Sequence, residues 1–476
     1  GAGVKRERFF MDRSPASEMP DGAPSVPSVT ASGSDHPVPV CVVDAMTDAL
    51  ARALVRTKNA GMNSHRVAAR IGAVLWLLLA WVPAAQADEA AVARGRYLAT
   101  VANCVSCHTR PGGVAFAGGL PFVTDFGTLH STNITSDPTA GIGRWSLEQF
   151  TGAMREGVDD EGRHLYPAFP YTAFTKLSDR DIADLYVFLK TIPASKQAAP
   201  PNVMKFPFDR RELLSVWKRL FFSSQRFVAR ADRSAEWNRG AYLVEGPAHC
   251  GACHTPRNLL GAEKASAAFA GGTHYDAVPG GAVRRWSAVN LTNSSSGLKA
   301  WRVEDIVGYL KTGHGERAGS FGPMNEVIVN STSQMTDADL RAMAVYLKSL
   351  GAVDIGGAVE LSGRARGAGE TLYTIHCGTC HLPTGLGSTP GQDLGPPLAG
   401  SAVAQAPDPA SLINIILYGS QVVRPTPPKA WKNMKPLYDA LDDEQVAAVA
   451  NYVRSSFGNR AGEVTAADVE RQRSDD

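Results

Sequence analysis

The sequence has no long apolar run, almost no net charge, and almost no cysteine outside one repeated pattern. Its longest apolar stretch, IGAVLWLLLAWV at 71–82, is twelve residues. A spanning helix needs roughly 20, which excludes a polytopic membrane protein. A formal charge of +2 over 476 residues leaves no basic footprint for nucleic acid. With 44% hydrophobic and 20% charged residues, the chain can bury several cores, so wholesale disorder is excluded too. Of seven cysteines, only Cys41 stands outside the repeated pattern.

The apolar run follows His65, Arg66 and Arg70 and precedes Ala85-Gln86-Ala87, a small-x-small site. The segment 62–87 therefore reads as a cleaved secretory signal peptide rather than a retained anchor. Residues 1–61, rich in Pro, Ser, Gly and Asp and without periodicity, read as a non-native or disordered extension, with translation starting at Met62. Cys41 goes with it. Beyond residue 87 acids and bases balance, so nothing calls for a polyanionic partner.

The six remaining cysteines form CVSCH (104–108), CGACH (250–254) and CGTCH (377–381). Two thiols at C-x-x-C spacing can add to the two vinyl groups of a haem, and the adjacent His can reach the iron. A zinc site would need a second ligand pair in each unit, and a redox disulfide leaves the thrice-repeated His unexplained. The reading is three covalent haems c, held by Cys104, Cys107, Cys250, Cys253, Cys377 and Cys380. His108, His254 and His381 are the proximal ligands.

The flanks repeat as well. Gly95, Tyr97 and Leu98 precede the first motif, Gly240, Tyr242 and Leu243 the second, and Gly369, Leu372 and Tyr373 the third. Downstream come three capped helices, starting after Ser178, Thr336 and Asp442. Phe188, Tyr346 and Tyr452 then share one position, suited to packing on the amino-terminal helix. Units one and two also share Asn133-Ile134-Thr135 and Asn290-Leu291-Thr292, and helices ending at Gly157 and Gly313. Unit three has a helix ending at Gly419, preceded by the turn Gly395-Pro396-Pro397-Leu398. The expected fold is all-α: three tandem class I cytochrome c-like haem domains at 89–197, 235–352 and 363–459. A linker at 198–234 joins the first two, and 460–476 form a polar tail.

A Met thioether opposite the His gives a low-spin centre with a raised potential. Met324 and Met434, in loops before the last helix of units two and three, are the distal candidates. Unit one has Phe169 at that place, which cannot bind iron. His164 in the same loop is the first substitute, Met154 the second, and an open five-coordinate iron the third. Met154 shares its helix position with Leu310 and Ile416, which favours core.

These residues resemble the three-haem cytochrome c subunit of bacterial membrane-bound dehydrogenases. The likeness spans the chain beyond the signal segment and rests on the three CxxCH units in order, NIT...GIGRWS, GRHLYPAFPY, HCGACHTPRNLLGA and GPMNEV. It implies an electron-transfer subunit at the periplasmic face of the bacterial inner membrane. Electrons would come from a flavin, PQQ or molybdenum catalytic subunit, alongside a small subunit in some complexes, and leave to ubiquinone. By similarity Met324 and Met434 are distal ligands. Many members have Met in place of Phe169, so the first haem's ligation does not carry over; the Phe variant looks more like the cytochromes beside molybdenum hydroxylases.

The segment 206–227 places Leu213, Val216, Trp217 and Leu220 at i, i+3, i+4 and i+7, with a basic flank. It reads either as an interfacial membrane helix or as a packed linker. Two rival functions stand beside the electron-transfer subunit. One is a peroxidase-like enzyme working at the first haem, although no acid–base constellation surrounds it. The other is a free periplasmic shuttle.

Overall fold

The computed structural model describes residues 88–277, 283–357, 363–388, 394–420, 431 and 433–473. The extension with Cys41 and the signal segment lie outside the described residues. In chain order the first unit comprises α1 (88–101), α2 (Cys104–Cys107), the hairpin β1 (Pro121–Thr124) and β2 (Gly127–His130), α3 (Leu147–Glu156), α4 (Tyr171–Phe174) and α5 (Asp179–Lys190). A connection with β3 (Val203–Met204) and α6 (Leu213–Phe221) follows. The second unit contains α7 (Ala235–Glu245), α8 (Gly251–His254), the hairpin β4 (Gly272–Ala277) and β5 (Val283–Ala288), α9 (Val303–Thr312), α10 (Pro323–Asn330) and α11 (Asp337–Ser349). The third has α12 (Gly363–His376), α13 (Gly378–His381), α14 (Ala410–Tyr418), α15 (Asp443–Ser455) and α16 (Ala466–Arg473).

The caps form where the sequence puts them. Ser178, Thr336 and Asp442 accept from the backbone N–H three residues on, at 3.0, 3.2 and 2.8 Å. Each satisfies an otherwise orphaned donor at the start of α5, α11 or α15. Gly157 and Gly313 end α3 and α9 in the left-handed region, at φ 63° and 70°.

The first helix of each unit crosses the capped helix, α5, α11 or α15, at a glycine. A Cβ on Gly95, Gly240 or Gly369 would lie 2.0, 1.9 or 2.4 Å from the carbonyl oxygen of Asp184, Ala342 or Ala448. Only hydrogen fits there. Beside that contact stand the Cβ atoms of Phe188, Tyr346 and Tyr452, the shared aromatic position. Around each crossing lies one apolar cluster, centred on Leu185 and Phe188, on Leu243 and Tyr346, and on Tyr373 and Tyr452. Val101, at the end of α1, is buried in the second cluster, so units one and two share core.

Three features differ from the expected plan. The fold is mostly helical but carries two small antiparallel sheets, β1-β2-β3 and β4-β5, whose short strands are weak signals in sequence. The linker begins later than expected: β3 pairs with β2, and Asn133 Nδ2 donates to Ser195 and Gln197 carbonyls, so the chain to 204 belongs to the first unit. The polar tail ends as α16, with Val469 fully buried and Arg473 donating to the Tyr438 carbonyl at 2.6 Å. Val469 is the one buried apolar side chain of this helix, with Gln472 buried beside it. Among the described residues no helix is long and apolar enough to cross a membrane.

Candidate haem-attachment sites

Each motif histidine is held the same way. Nδ1 of His108 lies 2.6 Å from the Thr132 carbonyl oxygen, that of His254 2.7 Å from Val289, and that of His381 2.7 Å from Pro396. A carbonyl only accepts, so Nδ1 carries the hydrogen and the Nε2 lone pair is left for a metal. Burial lowers all three imidazoles below their ordinary value, only partly offset by that bond. They are therefore neutral at pH 7, the ligating form.

The Asn-x-Thr repeat explains where those carbonyls come from. Thr132 and Val289 immediately precede Asn133 and Asn290, which are buried and doubly tied. Their side-chain oxygens accept from the N–H of Thr135 and Thr292 at 2.9 and 2.8 Å. Their amides donate to Ser195 and Val353 carbonyls, both at 2.7 Å, in the strand of chain leaving the last helix. Thus one Asn locks the carbonyl that orients the histidine to the end of its own unit. Unit three reverses the direction: Asn459, beyond α15, donates to the Leu398 carbonyl at 2.8 Å and accepts from Gly400 N–H at 2.9 Å. Gly395 is required beside it, since a Cβ there would meet the His381 ring at 2.6 Å. The repeat and the Pro-rich turn are visible in sequence but their purpose is not, and Asn459 carries no local signal.

The cysteines lie beside these histidines, with Cys377 buried, Cys380 exposed and the other four partly buried. Burial pushes the Cys104, Cys107 and Cys250 thiols up to about 12, and Cys377 up to about 11. Burial acts on Cys253 as well, but His274, hydrogen-bonded to it, and Arg257 outweigh it and hold that thiol below its ordinary value. Cys253 also contributes to the rise at Cys107, so motifs one and two are near neighbours. Asn330 at the end of α10 donates to Ser106 Oγ, inside the first motif, at 2.8 Å. Six thiols and three neutral imidazoles in this arrangement have the chemistry to hold covalent haem.

On the other side of each cluster the register is explicit. Leu165 N–H donates to Gly157 O and Ser320 N–H to Gly313 O, both at 2.7 Å. Four residues beyond each anchor stand Phe169 and Met324, which therefore occupy one place. Phe169 packs on the first cluster, its ring 5.4 Å from that of Phe174. Met324 packs on the second cluster and Met434 on the third. Met434 N–H donates to Ser420 Oγ at 3.0 Å. Met154 is 4% exposed, within the first cluster. His164 is engaged elsewhere: its Nδ1 lies 3.0 Å from Nζ of Lys218 on α6.

Units one and two are tied by a reciprocal pair. Tyr97 Oη donates to Asp339 at 2.6 Å and accepts from Thr336 N–H at 3.3 Å. Tyr242 Oη donates to Asp181 and accepts from Ser178 N–H at 3.2 Å. Each tyrosine thus caps the last helix of the other unit. Unit three joins differently. Trp431, three residues before Met434, is buried and donates through Nε1 to the Gly315 carbonyl of unit two at 2.9 Å.

A family model for cytochrome c matches residues 92–193 and 367–457, on either side of the middle unit. A nicotinate dehydrogenase subunit of Pseudomonas putida is 40% identical over 389 residues, 78% of this chain; the chain spans only 30% of that protein's length. The cytochrome c subunit of quinone-type alcohol dehydrogenase from Gluconobacter oxydans is 38% identical over 406 residues, covering 82% of this chain and 84% of that protein. The gluconate 2-dehydrogenase cytochrome c subunit of Pantoea cypripedii is 37% identical over 409 residues, covering 82% and 91%.

Proposed function

Because the chain belongs to the family of cytochrome c subunits of membrane-bound dehydrogenases, and is an electron carrier rather than a catalyst, we propose that it passes electrons from a catalytic subunit to membrane quinone through three covalent haems. The observation that carries this reading is the thrice-repeated Nδ1-to-carbonyl bond beside a C-x-x-C thiol pair. Haem, when attached, supplies a one-electron iron couple in each unit. The protein's part is to hold it: Cys104, Cys107, Cys250, Cys253, Cys377 and Cys380 by thioether bonds, and His108, His254 and His381 by Nε2. Met324 and Met434 supply thioethers on the distal side of units two and three. The three units are tandem class I cytochrome c domains.

The catalytic partner is of the flavin, PQQ or molybdenum class, and the complex works at the periplasmic face of the inner membrane. The α6 region supports the membrane assignment. Leu213, Val216 and Leu220 are 50%, 51% and 65% exposed, Phe206 is 80% exposed, and the neighbouring Leu259 is 96% exposed. Trp217 Nε1 donates to the Leu260 carbonyl at 2.9 Å, bringing that turn alongside α6. Such an apolar edge suits the lipid interface. Solubilised membranes from the native host test the whole reading. The chain is expected to purify with a flavin-, PQQ- or molybdenum-containing subunit, and ubiquinone should reoxidise its reduced haems. A chain that purifies alone and is indifferent to quinone would refute it.

A further inference from the structure

Phe169 and His164 together say something about the first unit that repetition alone does not. Phe169 stands where Met324 stands, by the matched anchors Leu165–Gly157 and Ser320–Gly313, and it has no donor atom. The thioether is therefore missing unless another side chain replaces it.

His164 is the imidazole carried in the same loop as Phe169, and its hydrogen bond gives it the opposite tautomer from the three motif histidines. Lys218 has three N–H donors. They go to the Glu156 carbonyl at 2.6 Å, the Gly157 carbonyl at 2.8 Å and His164 Nδ1 at 3.0 Å. The ammonium lies over the Tyr171 ring, 5.0 Å from its centroid. Nδ1 of His164 is thus the acceptor, which leaves the hydrogen on Nε2. A ring held this way has no lone pair to offer iron. It is part of the seam that docks α6 onto the end of α3, together with Tyr171 and Phe222, whose rings meet edge to face at 5.1 Å.

Met154 is the methionine within the first cluster. It lies three residues before Gly157, as Leu310 lies before Gly313 and Ile416 before Gly419, and all three are buried. The site is a packing position in every unit, and in two of them the residue cannot ligate. The rest of the first cluster around Phe169 is mainly hydrocarbon, with Ile142, Phe150, Phe174 and Leu185; the Tyr186 hydroxyl donates to the Trp145 carbonyl at 2.7 Å, and His249, edge-on to Phe174 at 5.4 Å, donates through Nε2 to the Ala102 carbonyl at 3.2 Å.

We propose that the first haem site has no protein ligand on its distal side: it is a five-coordinate centre capped by Phe169, able to take a small neutral ligand of the carbon monoxide class on ferrous iron. The Phe169 ring supplies no acid or base, so the open position binds without the proton transfer that peroxide cleavage requires. This rests on the three-haem reading above, and the two fail separately, because haem count by intact mass does not depend on coordination.

The experiment uses the full haem-loaded chain. After reduction, carbon monoxide is expected to bind one haem in three, and the oxidised protein to show one high-spin ferric signal beside a near-infrared thioether band equivalent to two haems. Phe169→Met should abolish the carbon monoxide response and raise that band to three. Wild-type protein with three haems, all low-spin and inert to carbon monoxide, would overturn the proposal. In that event a gain of carbon monoxide binding in His164→Ala or in Met154→Leu names the ligand.

Discussion

Units one and two are built on the same plan and differ at the place that sets the chemistry. They share the glycine crossing, the capped last helix, the Asn-x-Thr clamp and the carbonyl that orients the motif histidine. They even exchange equivalent tyrosines, Tyr97 to Asp339 and Tyr242 to Asp181. At one position of this common frame unit one has Phe169 and unit two has Met324. The lesson, on the proposed haem assignment, is that attachment and orientation belong to the frame, whereas ligation on the distal side is a single side chain carried on it. Exchanging that side chain should therefore move properties between units without disturbing either fold.

The largest expected effect comes from making unit two copy unit one. Met324→Phe removes the thioether proposed for that haem, so the near-infrared band should fall from two haems to one, and the potential of that haem should drop. An unchanged band would show that the register relating positions 169 and 324 is misread.

Next in size is the crossing both units share. Gly240→Val would drive a side chain into the Ala342 carbonyl, where even a Cβ comes within 1.9 Å. The cost should be about 3 kcal/mol, seen in the thermal unfolding of the haem-loaded chain. Gly95→Val should cost about the same, since its Cβ would lie 2.0 Å from Asp184 O. A large difference between the two would break the equivalence of the units.

The smallest effect should come from the reciprocal pair. Tyr97→Phe leaves the buried side of Asp339 with Arg239, which still donates to it at 2.8 Å. The loss should be about 1 kcal/mol, and Tyr242→Phe should match it. Burial and Asp339 raise Tyr97 above its ordinary value. The folded form therefore keeps this proton where an unfolded chain releases it, and the stability it contributes is present below the ordinary tyrosine value and lost as pH rises through the raised one. Urea unfolding at neutral pH and above pH 10 would read both effects.

Much of this was legible from the sequence. The CxxCH motifs, the caps at Ser178, Thr336 and Asp442, and the glycines at 95, 240 and 369 each announce themselves within a few residues. What was not legible depends on distant partners. Tyr97 looks like an apolar helix face until the other unit supplies Asp339, 242 residues away. Asn459 gains a role only because Leu398 folds back to it. His164 is an attractive ligand by loop position, and only the Lys218 contact reveals its tautomer. The docking of α16 rests on Val469 and on arginine bonds to carbonyls, which a polar composition conceals.

The central claim, that this chain holds three haems through three separately built but equivalent sites, is tested most directly by the intact mass of the exported protein under denaturing conditions. The account predicts one species heavier than the polypeptide by three haems, with Cys253→Ala lowering the count by one. A fully matured sample carrying two or fewer would contradict it.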